Sequence, residues 1–102
     1  MNLIDIYGDI KPGDKILKQN IDQNGKVIGK PELIIVCAID FWDQAPAVHY
    51  TKYKEFNAFC TLGYDIPKIY SFGEWMEGWL ILGHWQMMPS FRRLIKSYRK
   101  NR

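Results

Sequence analysis

Asp40, Asp43 and His49 fall close together just past LIIVCAI, the most apolar run of the chain. Two carboxylates beside an imidazole are the residue set of acid–base hydrolysis, and the end of a central strand is a common place for such a site. The plainer reading of the same residues is turn and helix-start chemistry, which aspartate serves equally well. Cys37 or Cys60 beside a histidine would suit covalent catalysis. Cys37, however, sits inside the apolar run, where a thiol behaves as a small hydrophobe, and neither cysteine lies in a recognisable nucleophile turn. His49, His84, Cys37 and Cys60 are the soft metal ligands of the chain. No two of them have the close spacing of zinc sites, so neither metal nor cofactor is expected. No phosphate-binding loop, dinucleotide fingerprint or zinc-protease motif is present. The expectation is a protein that is not an enzyme. A small hydrolase or ligand-binding protein using Asp40, Asp43 and His49 is the alternative.

The stronger chemical signal is electrostatic. Residues 90–102 read SFRRLIKSYRKNR. Residues 1–77 hold all eleven Asp/Glu and eight of the fourteen Lys/Arg; residues 78–102 hold the other six and no acid. A solvated helix face normally mixes both signs to limit self-repulsion, and this stretch does not. Segregation of this kind points to an interaction surface. Arg92, Arg93, Lys96, Arg99, Lys100 and Arg102 form the expected contact set, with Trp75 and Trp85 as flanking aromatics. Such cations neutralise phosphates or an acidic protein surface, and tryptophans stack bases or anchor interfaces. Against this, most tryptophans of a small domain belong to its core. The scattered acids of the first 77 positions allow a second, negative patch, and with it head-to-tail association.

These residues need elements to position them. Pro12-Gly13 fits the centre of a type II turn, and 15–21 reads as a strand. Asn24-Gly25 suits a tight hairpin turn, with 26–29 as an exposed return strand. After Lys30-Pro31, 32–42 is apolar on both alternating faces, as in a central strand covered on both sides. Tyr53, Phe56, Phe59 and Cys60 recur at helical spacing and predict a helix over about 50–62, with Gly63 as its cap. Three glycines, at 73, 78 and 83, argue against a helix after residue 69. The segment reads instead as a hairpin of 69–75 and 79–86, turning near Glu77-Gly78. In that register Trp79, Ile81, Gly83 and Trp85 share one face, and Leu80, Leu82 and His84 the other. Ser90 then caps a closing amphipathic helix whose apolar stripe is Phe91, Leu94, Ile95 and Tyr98.

At 102 residues, 47% apolar and 25% charged, the chain is one globular domain, 1–102, without a disulfide framework. The expected architecture is α+β: a mostly antiparallel sheet of about five strands, one central helix and a C-terminal amphipathic helix. A small β-barrel with appended helices is the alternative. No apolar run approaches the roughly 20 residues that cross a bilayer, and the start of the chain does not read as a secretory signal. A cytoplasmic protein with reduced cysteines is expected. The function that follows is a small non-catalytic binding module for an anionic macromolecule, either nucleic acid or the acidic face of a protein complex. Its size and composition suit a bacterial or phage accessory or inhibitor protein. A homodimer through the aromatic patch is a weaker option, and no membrane partner is expected.

Overall fold

The computed structural model describes residues 2–42, 45–62, 67–74, 77–86 and Phe91. Its elements in chain order are α1 (Leu3–Ile6), β1 (Lys15–Ile21), β2 (Val27–Trp42), β3 (Ala45–Lys52), α2 (Tyr53–Leu62), β4 (Tyr70–Gly73) and β5 (Gly78–Trp85). The five strands form one antiparallel sheet in the order β4-β3-β2-β1-β5. The mixed α/β architecture and the antiparallel sheet agree with the sequence reading. The sheet is open, and the barrel alternative is not supported.

Local chemistry sets the first hairpin. Asp14 N donates to Lys11 O at 3.0 Å and Gly13 takes φ 99°, the type II turn expected of Pro12-Gly13. The β1–β2 loop is wider than a two-residue turn. Asp22 and Lys26 close it through a backbone bond of 2.8 Å, and Gly25 carries the positive φ of 82°. The Asp22 carboxylate accepts from the amides of Asn24 and Lys26, both at 2.9 Å. Asp22, rather than the Asn24-Gly25 pair alone, therefore organises the turn.

Lys30-Pro31 does not break the strand, as the sequence suggested; β2 runs through it for 16 residues. Gly29 to Pro31 face Gln19 alone, because Lys18 pairs with Glu32 and Asn20 with Ile28. Pro31 thus sits in a bulge, where its missing N–H costs no ladder bond. The Gln19 amide fills the gap by donating to the carbonyls of Ile28 (3.0 Å) and Gly29 (2.9 Å). α2 begins at Tyr53, later than expected, because the strand-forming residues up to Lys52 complete the β3 ladder with β2.

The expected hairpin between β4 and β5 does not form. The two strands lie at opposite edges of the sheet, β4 on β3 and β5 on β1. Alternating hydrophobicity identifies strands but not their partners. The sheet coils so that its edges nevertheless meet over the concave side: Phe72 stacks on Trp79 at 4.4 Å, and Tyr50 meets the same indole edge-on at 5.2 Å. The face assignment within β5 is also corrected. Lys18 pairs with Ile81 but Leu17 with Gly83, so Leu82 is bulged out. Trp79 and Ile81 point into the concave core, whereas Gly83 and Trp85 fall on the convex face.

Each face has its own core. On the concave side Leu3, Ile6, Ile10, Ile16, Ile34, Val36 and Val48 enclose Trp79, which is 1% exposed. On the convex side Ile35, Phe56, Phe59 and Phe91 cluster, with Cys37, Tyr53 and Cys60 at the margin. Of the expected apolar stripe of the closing helix, Phe91 is in place; Ser90, Leu94, Ile95 and Tyr98 lie outside the described residues. Among the described residues no helix is long and apolar enough to cross a membrane.

Candidate functional site

One row of the sheet gathers the surface features. Lys15 is the direct cross-strand partner of Trp85 on one side and of Ile35 on the other, and Ile35 in turn faces Thr51. Direct antiparallel partners project to the same face. Trp85, Lys15 and Ile35 therefore stand side by side on the convex surface. Phe91 belongs to the same buried cluster as Ile35, with Phe56 and Phe59, and is 4% exposed. At about 4.8 Å per strand, the Ile35 and Trp85 backbones are roughly 10 Å apart.

Trp85 is 44% exposed. Its indole lies over Gly83: a Cβ added there would come within 2.8 Å of Cζ3. The Lys15 ammonium is held between two rings, 4.8 Å from the Trp85 centroid and 5.2 Å from that of Tyr53. Glycine at 83 thus gives the ring its seat, and lysine at 15 gives it a neighbouring charge. Lys15, Tyr53 and Gly83 were missed in the sequence. The signal for Gly83 was present, since it stands two residues before Trp85 in a strand, but the bulge that places Lys15 beside the indole has no sequence signature. Arg92, Arg93, Lys96, Arg99, Lys100, Arg102 and Trp75 lie outside the described residues.

The other cations of the sheet are engaged differently. Lys18 is 4% exposed; its ammonium lies 3.2 Å from Glu32 Oε1 and 2.9 Å from Asn20 Oδ1, over the Trp79 ring at 5.1 Å. Lys52 approaches Glu32 Oε2 at 3.7 Å. The buried Asp14 carboxylate is 2.7 Å from His84 Nε2 and accepts from Lys11 N at 3.0 Å, tying the turn before β1 to the end of β5.

Carboxylates gather at the opposite end of β5. A cleft of about 320 Å³ is lined there by Asp22, Glu74 and Glu77 with Asn2, Ile21 and Gly78. Burial pushes the Glu74 carboxyl up from its ordinary value, and the nearby Asp5 charge adds to this, while the Ile4 amide opposes it. Seven residues of strand, roughly 23 Å, separate this cleft from Trp85.

The structure brings together two of the three residues of the alternative site. His49 Nε2 is 3.8 Å from Asp40 Oδ2, and its Nδ1 is 2.7 Å from the Ser71 hydroxyl, which the sequence reading had not singled out. Asp43 lies outside the described residues. The Asp40–His49 separation exceeds a direct hydrogen bond, and neither residue lines the Glu74 cleft. Burial pushes the Cys37 thiol up to about 12, so it stays protonated at neutral pH and is no nucleophile. Among the described residues no group of histidine, cysteine and carboxylate side chains is placed to hold a metal ion. No family model matches the chain, and no curated protein or solved structure matches it.

Proposed function

We propose that this protein is a non-catalytic binding module for an anionic macromolecule, gripped by the cations of residues 92–102 together with Lys15 and Trp85. The observation that supports the reading is the burial of Phe91 in the cluster of Ile35, whose row holds Lys15 and Trp85. On this reading the acid-free stretch that follows, with its six Lys/Arg, works together with the exposed indole and the lysine of that row. If the cations of residues 92–102 lie with Lys15, the acidic cleft at the far end of β5 completes a dipolar layout that orients an approaching anion.

The test is charge reversal. Arg92, Arg93, Lys96 and Arg99 are changed together to Glu, and the variant is compared with the wild type in pull-downs from the native host at low and high salt, with and without nuclease. The wild type captures its partner with a steep salt dependence, a log–log slope of about −4 to −5 for four to six neutralised phosphates. A folded variant that captures the same partner with the same salt dependence would refute the reading.

A further inference from the structure

We infer that Trp85 is a base-stacking platform and that the anionic partner is a single-stranded nucleic acid; this rests on the binding reading above. An acidic protein surface would use an indole as an anchor inserted into a pocket of the partner, whereas this one lies over its own sheet. The convex face offers a further feature, a half-exposed indole whose six-membered ring is seated on the bare backbone of Gly83. The seat fixes the plane of the ring before any ligand arrives, so little rotamer freedom remains to be lost on binding. An unpaired base supplies the matching flat π face, whereas the bases of a duplex are already stacked on one another.

Lys15 completes the recognition of a nucleotide. Its ammonium lies 4.8 Å from the indole centroid, and among the described residues it pairs with rings and with no carboxylate. It is therefore available to a phosphate beside the stacked base, and its flexible stem can leave the ring face as the base takes it.

The experiment measures fluorescence anisotropy with two fluorescein-labelled probes of about 15 nucleotides, oligothymidylate and an abasic deoxyribose-phosphate chain of equal length. Both present the same charge, and only one has bases. The wild type binds oligothymidylate about tenfold more tightly than the abasic chain. Trp85→Ala removes that difference, Trp85→Phe keeps most of it, and Gly83→Ala, which displaces the ring, reduces it. Circular dichroism and thermal melting establish that each variant is folded. Reversal of Arg92, Arg93, Lys96 and Arg99 weakens both probes alike.

Equal binding of the two probes by the wild type overturns the stacking inference, and so does a tenfold difference that survives Trp85→Ala; either result leaves the cationic reading standing. Failure to bind either probe, with nuclease-resistant capture of an acidic protein, overturns nucleic acid as the partner. Affinities unchanged by the charge reversal refute the parent reading itself.

Discussion

Phe91→Ala tests both the architecture and the proposed function. The Phe91 side chain is almost wholly enclosed by Ile35, Phe56 and Phe59, themselves no more than 6% exposed. In a closed core, Phe→Ala costs about 3–5 kcal/mol, the sum of lost transfer energy and the cavity left behind. Here the loss is capped by the docking energy of the segment, because a segment that detaches leaves no cavity and wets its former neighbours instead. Transfer of one buried Phe is worth about 2–3 kcal/mol, and hydration of its three neighbours adds to this, so the expected loss is about 3 kcal/mol. Against a total stability of roughly 5–15 kcal/mol this is large. It corresponds to a fall in Tm of about 10–20 °C for a domain of this size. Urea titration of wild type, Phe91→Ala and Phe91→Leu reads the cost directly, with the leucine variant recovering most of it. The same variants, titrated with the two labelled probes, report whether the anchor serves binding: on the proposed reading Phe91→Ala weakens both probes alike, as the charge reversal does. A loss below about 1 kcal/mol in Phe91→Ala would show that the aromatic is no anchor and that the basic segment is not held in the Lys15–Ile35 row.

Three further predictions concern the charges and the thiol. Glu32→Gln strips the buried Lys18 ammonium of its ion pair and costs about 2 kcal/mol in urea titration, below the usual range for a buried pair because Glu32 is partly exposed; a change under about 0.5 kcal/mol contradicts the pairing. Glu74→Gln raises stability at neutral pH, since burial and Asp5 disfavour the ionised carboxyl; with the folded value raised, wild-type stability falls as pH rises through this group, and the variant loses that component of the pH profile. For Cys37, raised from 9.0 to about 12 by burial, the unfolded chain releases its proton first, so this group lowers stability by about 1.4 kcal/mol per pH unit between those values. The stability gap between wild type and Cys37→Ala therefore narrows as pH rises from about 9 toward about 11, and a gap independent of pH there would show the thiol to be solvated.

Much of the scaffold was legible because local chemistry wrote it. Pro12-Gly13 fixed a turn, alternating residues fixed β1, and the recurrence of Phe56 and Phe59 fixed α2 on the convex face. What stayed hidden was non-local. The pairing of β4 with β3 and of β5 with β1 depends on how the sheet coils around Trp79, and no window of sequence carries that. Leu82 reads as an ordinary alternating residue, yet its bulge reverses the face of everything after it and turns Trp85 from the Trp79 side to the α2 side. Lys30-Pro31 reads as a stop because the sequence does not show Gln19 waiting opposite with a side-chain amide. Of the proposed site, the charge segregation and Trp85 are features of the sequence, while Lys15 enters only through the register that sets it beside the indole.

The internal charges explain why the excess matters. Lys18 and Lys52 share Glu32, Asp14 meets His84, and Asp22 is spent on the turn of the first hairpin. These groups are engaged with one another or with backbone amides inside the fold. Lys15 departs from this pattern, resting against Tyr53 and Trp85. A cation on an exposed ring contributes about 0.5–1 kcal/mol, much less than the core supplies. Substitutions at Lys15 or Trp85 therefore leave the protein folded while altering what it binds, and substitutions at Lys18 or Glu32 do the reverse. A surface that costs so little stability to change is free to be shaped by its ligand, which is the physical reason to look for function on the convex face and not around the buried Trp79.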